Sequence, residues 1–173
     1  MKTVFALLLV FFAKAAAICR FNDGQNYELT WIIDPNDLIH FQLTYRNLPP
    51  NFNIYTGIAF GQSMGSGLDA VLVKTINGQV VLSDEYVQGF RPSFPDNSQD
   101  AQLQNAQIVG GVLKARFTRP VSAVERFVDH DLHGCTPWHF INGVGMVHDR
   151  AGNVGKHTRR PVTQIICIDQ CRI

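Results

Sequence analysis

The stretch Leu29-Thr30-Trp31-Ile32-Ile33-Asp34-Pro35-Asn36-Asp37-Leu38-Ile39-His40-Phe41-Gln42-Leu43-Thr44-Tyr45 decides the fold. Leu29, Trp31 and Ile33 alternate with Thr30 and Ile32, and Ile39, Phe41, Leu43 and Tyr45 alternate with His40, Gln42 and Thr44. A period of two puts each set on one face of a strand. Asp34-Pro35-Asn36-Asp37 is a cluster of turn formers between them, so the two strands read as a hairpin.

Working outward, the same period predicts strands at 55–61, 70–75, 80–83, 106–109, 112–117, 138–144 and 164–168. Asn77-Gly78 is the strongest hairpin signal of the chain, and Gly110-Gly111 is a second. Residues 121–132 have room for one short helix, and 91–104, rich in Pro, Ser, Asp, Asn and Gln, read as a long surface loop. Strands at this spacing, with no long amphipathic helix between them, predict an all-β, antiparallel β-sandwich in a single domain.

Composition narrows the function. The 173 residues are 46 % hydrophobic and 17 % charged, enough apolar material for one core. The net charge of +1 gives no bulk attraction to nucleic acid or to an anionic membrane. Recognition of any partner must therefore be local. Lys2, the apolar run 4–13 and Ala15-Ala16-Ala17 form the pattern of a secretory signal peptide, residues 1–17, cut after Ala17. The run is too short to span a bilayer, which needs about 20 residues. The mature unit, 18–173, is then expected to be secreted, extracellular and without stable membrane insertion. Its four cysteines, Cys19, Cys135, Cys167 and Cys171, read as two disulfides. Three pairings are open. The spacing lacks the two close Cys pairs of a structural zinc site.

Few residues suggest chemistry. Gly61-Gln62-Ser63-Met64-Gly65 fits the G-x-S-x-G nucleophile elbow, but such an elbow needs a helix directly after the serine. Here Ser66-Gly67-Leu68-Asp69 leads into another strand, so no catalytic role is assigned and the chain is not read as an enzyme. Asp129-His130-Asp131-Leu132-His133 places metal-binding types close together, yet no second cluster accompanies it, and a polar surface turn is expected. Met64 stands among glycines just after a strand. A thioether there suits either a soft metal or an apolar core.

Several segments coincide in order with one known family. They are Tyr55-Thr56-Gly57-Ile58-Ala59-Phe60-Gly61, then Met64, then Asp69-Ala70-Val71. Ser83-Asp84-Glu85-Tyr86, Pro95-Asp96, Gln99-Asp100 and Phe117-Thr118-Arg119-Pro120 follow, and the end runs through Gly152-Asn153-Val154-Gly155-Lys156-His157 to Ile166-Cys167-Ile168. Over residues 31–171 the chain resembles the DOMON family, in particular its small secreted invertebrate members. The resemblance implies a sandwich that, in one branch, holds a b-type haem between a Met of this first loop and a His before the last strand. Carried onto this sequence, the iron ligands are Met64 and His157, with His148 as the alternative, while His139, inside a strand, is expected to be structural. The implied function is one-electron transfer or haem sensing, with a redox partner or small ligand that the sequence does not name, and with non-covalent haem b because no Cys-x-x-Cys-His is present. The alternative is a sugar-binding, small-ligand-binding or adhesion module without haem.

Overall fold

The computed structural model describes residues 18–50 and 53–173; the signal-peptide reading of 1–17 lies outside the described residues. Two antiparallel sheets pack face to face. One holds β1 (Cys19–Asn22), β2 (Tyr27–Ile33), β3 (Leu38–Tyr45), β9 (Val112–Pro120) and β8 (Gln102–Val109), in the order β1-β2-β3-β9-β8. The other holds β4 (Ile54–Ser63), β5 (Gly67–Ile76), β6 (Gln79–Val87), β7 (Phe94–Pro95), β10 (Cys135–Val147) and β11 (Val154–His157), in the order β11-β10-β4-β5-β6-β7. β12 (Val162–Cys167) pairs with the first half of β10. The expected hairpin is present, with Leu29 opposite Leu43 and Trp31 opposite Phe41.

The core forms where the inward faces meet. Leu29, Trp31, Phe41, Leu43 and Phe117 of the first sheet pack on Ile58, Phe60, Val71, Trp138 and Phe140 of the second. Ring pairs interlock the layers: Phe21 stacks on Phe140 at 3.9 Å, and Phe60 meets Trp138 edge-on at 5.1 Å. Pairs of this geometry add about 0.5–1.5 kcal/mol each beyond their buried area. Tyr27 donates its hydroxyl to the Gly57 carbonyl across the sandwich at 2.9 Å, and burial raises its pKa well above the ordinary value. Gly57 must stay side-chain-free, since a Cβ there would lie 2.1 Å from the Val71 carbonyl oxygen.

Two disulfides close the ends. Cys19 bonds Cys171, 152 residues away, and ties β1 to the 3-10 turn Ile168–Cys171; Cys135 bonds Cys167 across the β10–β12 pair. They fit an oxidising compartment. No helix among the described residues is long and apolar enough to cross a membrane.

The structure corrects three expectations. Residues 121–132 form turns rather than a helix. Val121 and Leu132 are buried and joined by a backbone bond (Leu132 N–H to Val121 C=O, 2.9 Å), while Val124 and Phe127 between them point to solvent. No apolar stripe exists for a helix to bury, and Asp129 instead binds the N–H groups of Val124 and Glu125. The stretch 91–104 is not all loop, because it contains β7 and the start of β8. The sequence predicts no strand between 138–144 and 164–168 and so puts His148 and His157 in one loop, but His157 lies within a strand, β11.

Candidate functional site

β4 and β5 are buried along nearly their whole length, on both faces. Ile58, Phe60, Val71 and Val73 face the main core. On the opposite face Tyr55, Ala59, Leu68, Ala70, Leu72, Ile141, Val147 and Val154 form a second apolar cluster, with Met64 and Val87 packed against it. Two segments close over this outer face. Lys74 ion-pairs with Glu85 and donates to the Gly152 carbonyl at 2.8 Å, while Ser83 and Ser93 donate to Glu85. Lys74 and Glu85 are almost wholly buried, so they fasten the loops after β6 and β10 to the sheet. Tyr55 lies across Gly145, where a Cβ would meet its ring at 2.1 Å, and donates to the Gly155 carbonyl at 2.7 Å. Burial pushes its phenol up to about 12.

Met64 caps the β4–β5 turn, its carbonyl accepting from Gly89 N–H at 2.5 Å. His157 pairs with Gly145, which in turn pairs with Tyr55, so its side chain belongs to the same outer face. Its Nδ1 is buried without a hydrogen-bond partner. By contrast the rings of His40, His130, His133 and His139 all have partners. His139 is held at both nitrogens, by the Gly61 carbonyl and the Thr163 hydroxyl, each at 2.8 Å. His148 is exposed and lies beyond the Val147–Val154 pair, farther from Met64 than His157 is. The structure thus brings Met64 and His157 to one face but not to one point. Six residues of β4 separate the Tyr55 row from Gly61, about 20 Å at strand rise.

The remaining candidates fall into structural roles. The Ser63 hydroxyl meets that of Ser66 at 3.1 Å, and β5 begins at the next residue rather than a helix. Within 129–133, Leu132 is buried, Asp129 caps the turn and His133 binds Asp131.

The two-sheet antiparallel sandwich is the architecture that the motif residues implied; the second apolar face of its central strands is new with the structure. The sequence model of the DOMON domain matches residues 23–145, well over half of the chain. The chain belongs to the DOMON family. The matched span includes Met64 and ends at Gly145, before His148 and His157. Among solved structures, the DOMON chain is similar to the cytochrome b domain of pyranose dehydrogenase from Coprinopsis cinerea. The TM-score is 0.63 at 11 % identity, covering 90 % of this chain and 84 % of that one. At that identity the likeness establishes the fold. No curated protein matches the sequence.

The outer face holds the donor types a haem iron takes, a thioether and an imidazole with an unsatisfied buried nitrogen among apolar walls, but about 20 Å of sheet separates the two donors. Sequence reasoning missed the Lys74–Glu85 fastening. Their separation of 11 residues carries no local pattern, and only the β5–β6 register brings them together.

Proposed function

We propose that this DOMON domain is a secreted b-type haem protein that exchanges single electrons or senses haem, with Met64 and His157 holding the iron. The observation that carries the reading is the orphaned, buried Nδ1 of His157 on the apolar face that Met64 packs against. The fold it shares with a cytochrome b domain supports it. When bound, the haem would supply a reversible one-electron couple, and ligation by both residues would leave no open site for oxygen chemistry. The protein's part is to bind, wall off and tune. Leu68, Ala70 and Leu72 would keep water from the group, and a Met64 thioether ligand would favour ferrous iron. Because those residues are already buried and the two ligands stand about 20 Å apart along the sheet, uptake would require the Met64-Gly65-Ser66 turn and the edge strand β11 to rearrange.

Titration of the purified chain with haemin tests this. The expected product is low-spin and six-coordinate in both oxidation states. Met64→His should keep haem and lower the potential, His157→Ala should lose most affinity or turn the iron high-spin, and His148→Ala should change little. Damage from His148→Ala alone would move the ligand assignment, and no uptake by wild type would end the haem reading. A second reading has its own observation. The outer face of the first sheet carries a polar groove of about 320 Å³ lined by Gln42, Asn105, Gln107, Lys114 and Arg116, which suits a sugar or other small polar ligand.

A further inference from the structure

β8 ends the first sheet, paired with β9 alone, and is exposed along nearly its whole length, Leu103, Ile108 and Val109 included. Natural sheets blunt such edges with short strands, prolines or charges, because an open ladder recruits other chains. Three of the four strands that end the two sheet orders are blunted in this way. β1, β7 and β11 have two to four residues and carry Arg20, Pro95 and Lys156. β8, Gln102-Leu103-Gln104-Asn105-Ala106-Gln107-Ile108-Val109, has eight residues with neither charge nor proline. Its one irregularity is the bulge at Gln104, which leaves 105–109 in regular register with β9.

The hairpin fixes which backbone groups of β8 are free. Gly110 and Gly111, at φ 57° and 73°, form a two-residue turn, so Val109 and Val112 are the hydrogen-bonded pair that closes it. Alternation then turns the N–H and C=O of Gln107 toward β9, and those of Ala106 and Ile108 away from it. Among the described residues no other backbone group engages Ala106 or Ile108.

The polar groove of about 320 Å³ runs beside this edge, lined by Gln42, Asn105, Gln107, Lys114 and Arg116. Lys114 is opposite Gln107 and Arg116 opposite Asn105, so both cations stand one strand in from the edge. Arg116 donates its Nε to Gln42 at 3.1 Å, and no carboxylate lines the groove. Glu28, the only carboxylate in the five strands of this sheet, is bound by Arg20 and Arg46. A strand added at β8 would lie about 10 Å from β9, a gap that a Glu side chain and a Lys or Arg side chain close together. Pairing of two copies through β8 would instead line up two Lys114 and two Arg116 with no acid between them, which like-charge repulsion disfavours.

We propose that β8 accepts an extended acidic segment of a partner protein as an added strand. Ala106 and Ile108 supply the main-chain ladder, and Lys114 and Arg116 select acidic side chains at its outward positions. The apolar face that carries the haem reading belongs to the other sheet, so the two stand or fall separately.

The test uses the purified chain and two synthetic eight-residue peptides, one alternating threonine with glutamate and one alternating threonine with lysine. NMR titration should show saturable shifts centred on 105–109 with the glutamate peptide and slowed amide exchange at Ala106 and Ile108. The lysine peptide should bind at least about tenfold more weakly, the equivalent of one charge-assisted hydrogen bond. Ile108→Pro removes an outward N–H and leaves the β8–β9 ladder intact, so it should fold and lose binding. Should it fail to fold, amide protection in the wild type decides. Lys114→Gln with Arg116→Gln should bind both peptides alike, whereas removing two exposed cations elsewhere, Arg150→Gln with Arg160→Gln, should leave the preference unchanged. Equal binding of the two peptides by wild type, binding without protection of Ala106 and Ile108, or a dimer joined at β8 in sedimentation equilibrium overturns the proposal. Binding of heparin but of neither peptide also overturns it, and gives the groove to an acidic polysaccharide.

Discussion

Removing Glu85 tests whether the outer face is closed by the buried ion pair. In Glu85→Leu, Lys74 would keep only the Gly152 carbonyl, while its side chain remains 3 % exposed among apolar neighbours. Leaving one member of a buried pair uncompensated costs about 3–5 kcal/mol. For a domain of this size 1 kcal/mol shifts Tm by roughly 2–4 °C, so the fall should be about 6–20 °C. The loss is a large share of a total stability of about 5–15 kcal/mol. Lys74→Met with Glu85→Leu replaces both charges by apolar groups of similar volume, and such replacements are often neutral. The double variant should therefore recover most of the loss, giving a coupling energy of at least about 2 kcal/mol in a double-mutant cycle. Differential scanning calorimetry of the four proteins provides the cycle. Equal destabilisation by the single and double variants would refute the reasoning, since the cost would then come from the lost Ser83 and Ser93 hydrogen bonds rather than from a stranded charge. Amide exchange near Gly152 and Ser93 should rise in Glu85→Leu and return toward wild type in the double variant.

Other outcomes follow from single contacts. Loop-closure entropy over 152 residues assigns the Cys19–Cys171 bond about 5 kcal/mol, against about 3.7 kcal/mol for 32 residues at Cys135–Cys167. Urea melts of the paired Ala variants should therefore rank in that order. Gly145→Val must drive Tyr55 off the outer face, at a cost of about 1–3 kcal/mol, and ultraviolet titration should show its phenol falling from about 12 toward the ordinary 10. Burial raises Asp69 to about 6 and Asp84 to about 7. The folded state therefore keeps protons that the unfolded chain has lost, so this stabilisation is complete below the ordinary carboxylate range and fades as pH climbs through 6–7. Urea midpoints that rise steadily from pH 4 to 8 would contradict it. Asp34, Glu125 and Asp149, held low mainly by side-chain hydrogen bonds, act in the opposite sense and only at acid pH.

Local chemistry was enough for much of the fold. The period-two alternation of residues 29–45 and the Asn77-Gly78 and Gly110-Gly111 turns set strands and hairpins within a few residues of where they stand, because side-chain alternation and turn conformation are properties of short segments. Short edge strands escaped it. β1, β7 and β11 have two to four residues each and exist because a longer neighbour supplies hydrogen bonds. The apparent helix at 121–132 failed for a related reason, since apolar spacing there is answered by burial of only Val121 and Leu132.

The sequence by itself determined that the chain alternates its way into an antiparallel sandwich, and that Met64 sits in a glycine-bracketed turn. Only the tertiary structure decided which cysteines pair, and that the second sheet is apolar on both faces. It also placed His157 on the outer face with its Nδ1 orphaned. Asp69 and Asp84 became diagonal neighbours on the core face in the same way. Strand register and sheet order are global choices: they join residues as far apart as Ile54 and Met146, and no local period or turn signal encodes which distant strand lies alongside.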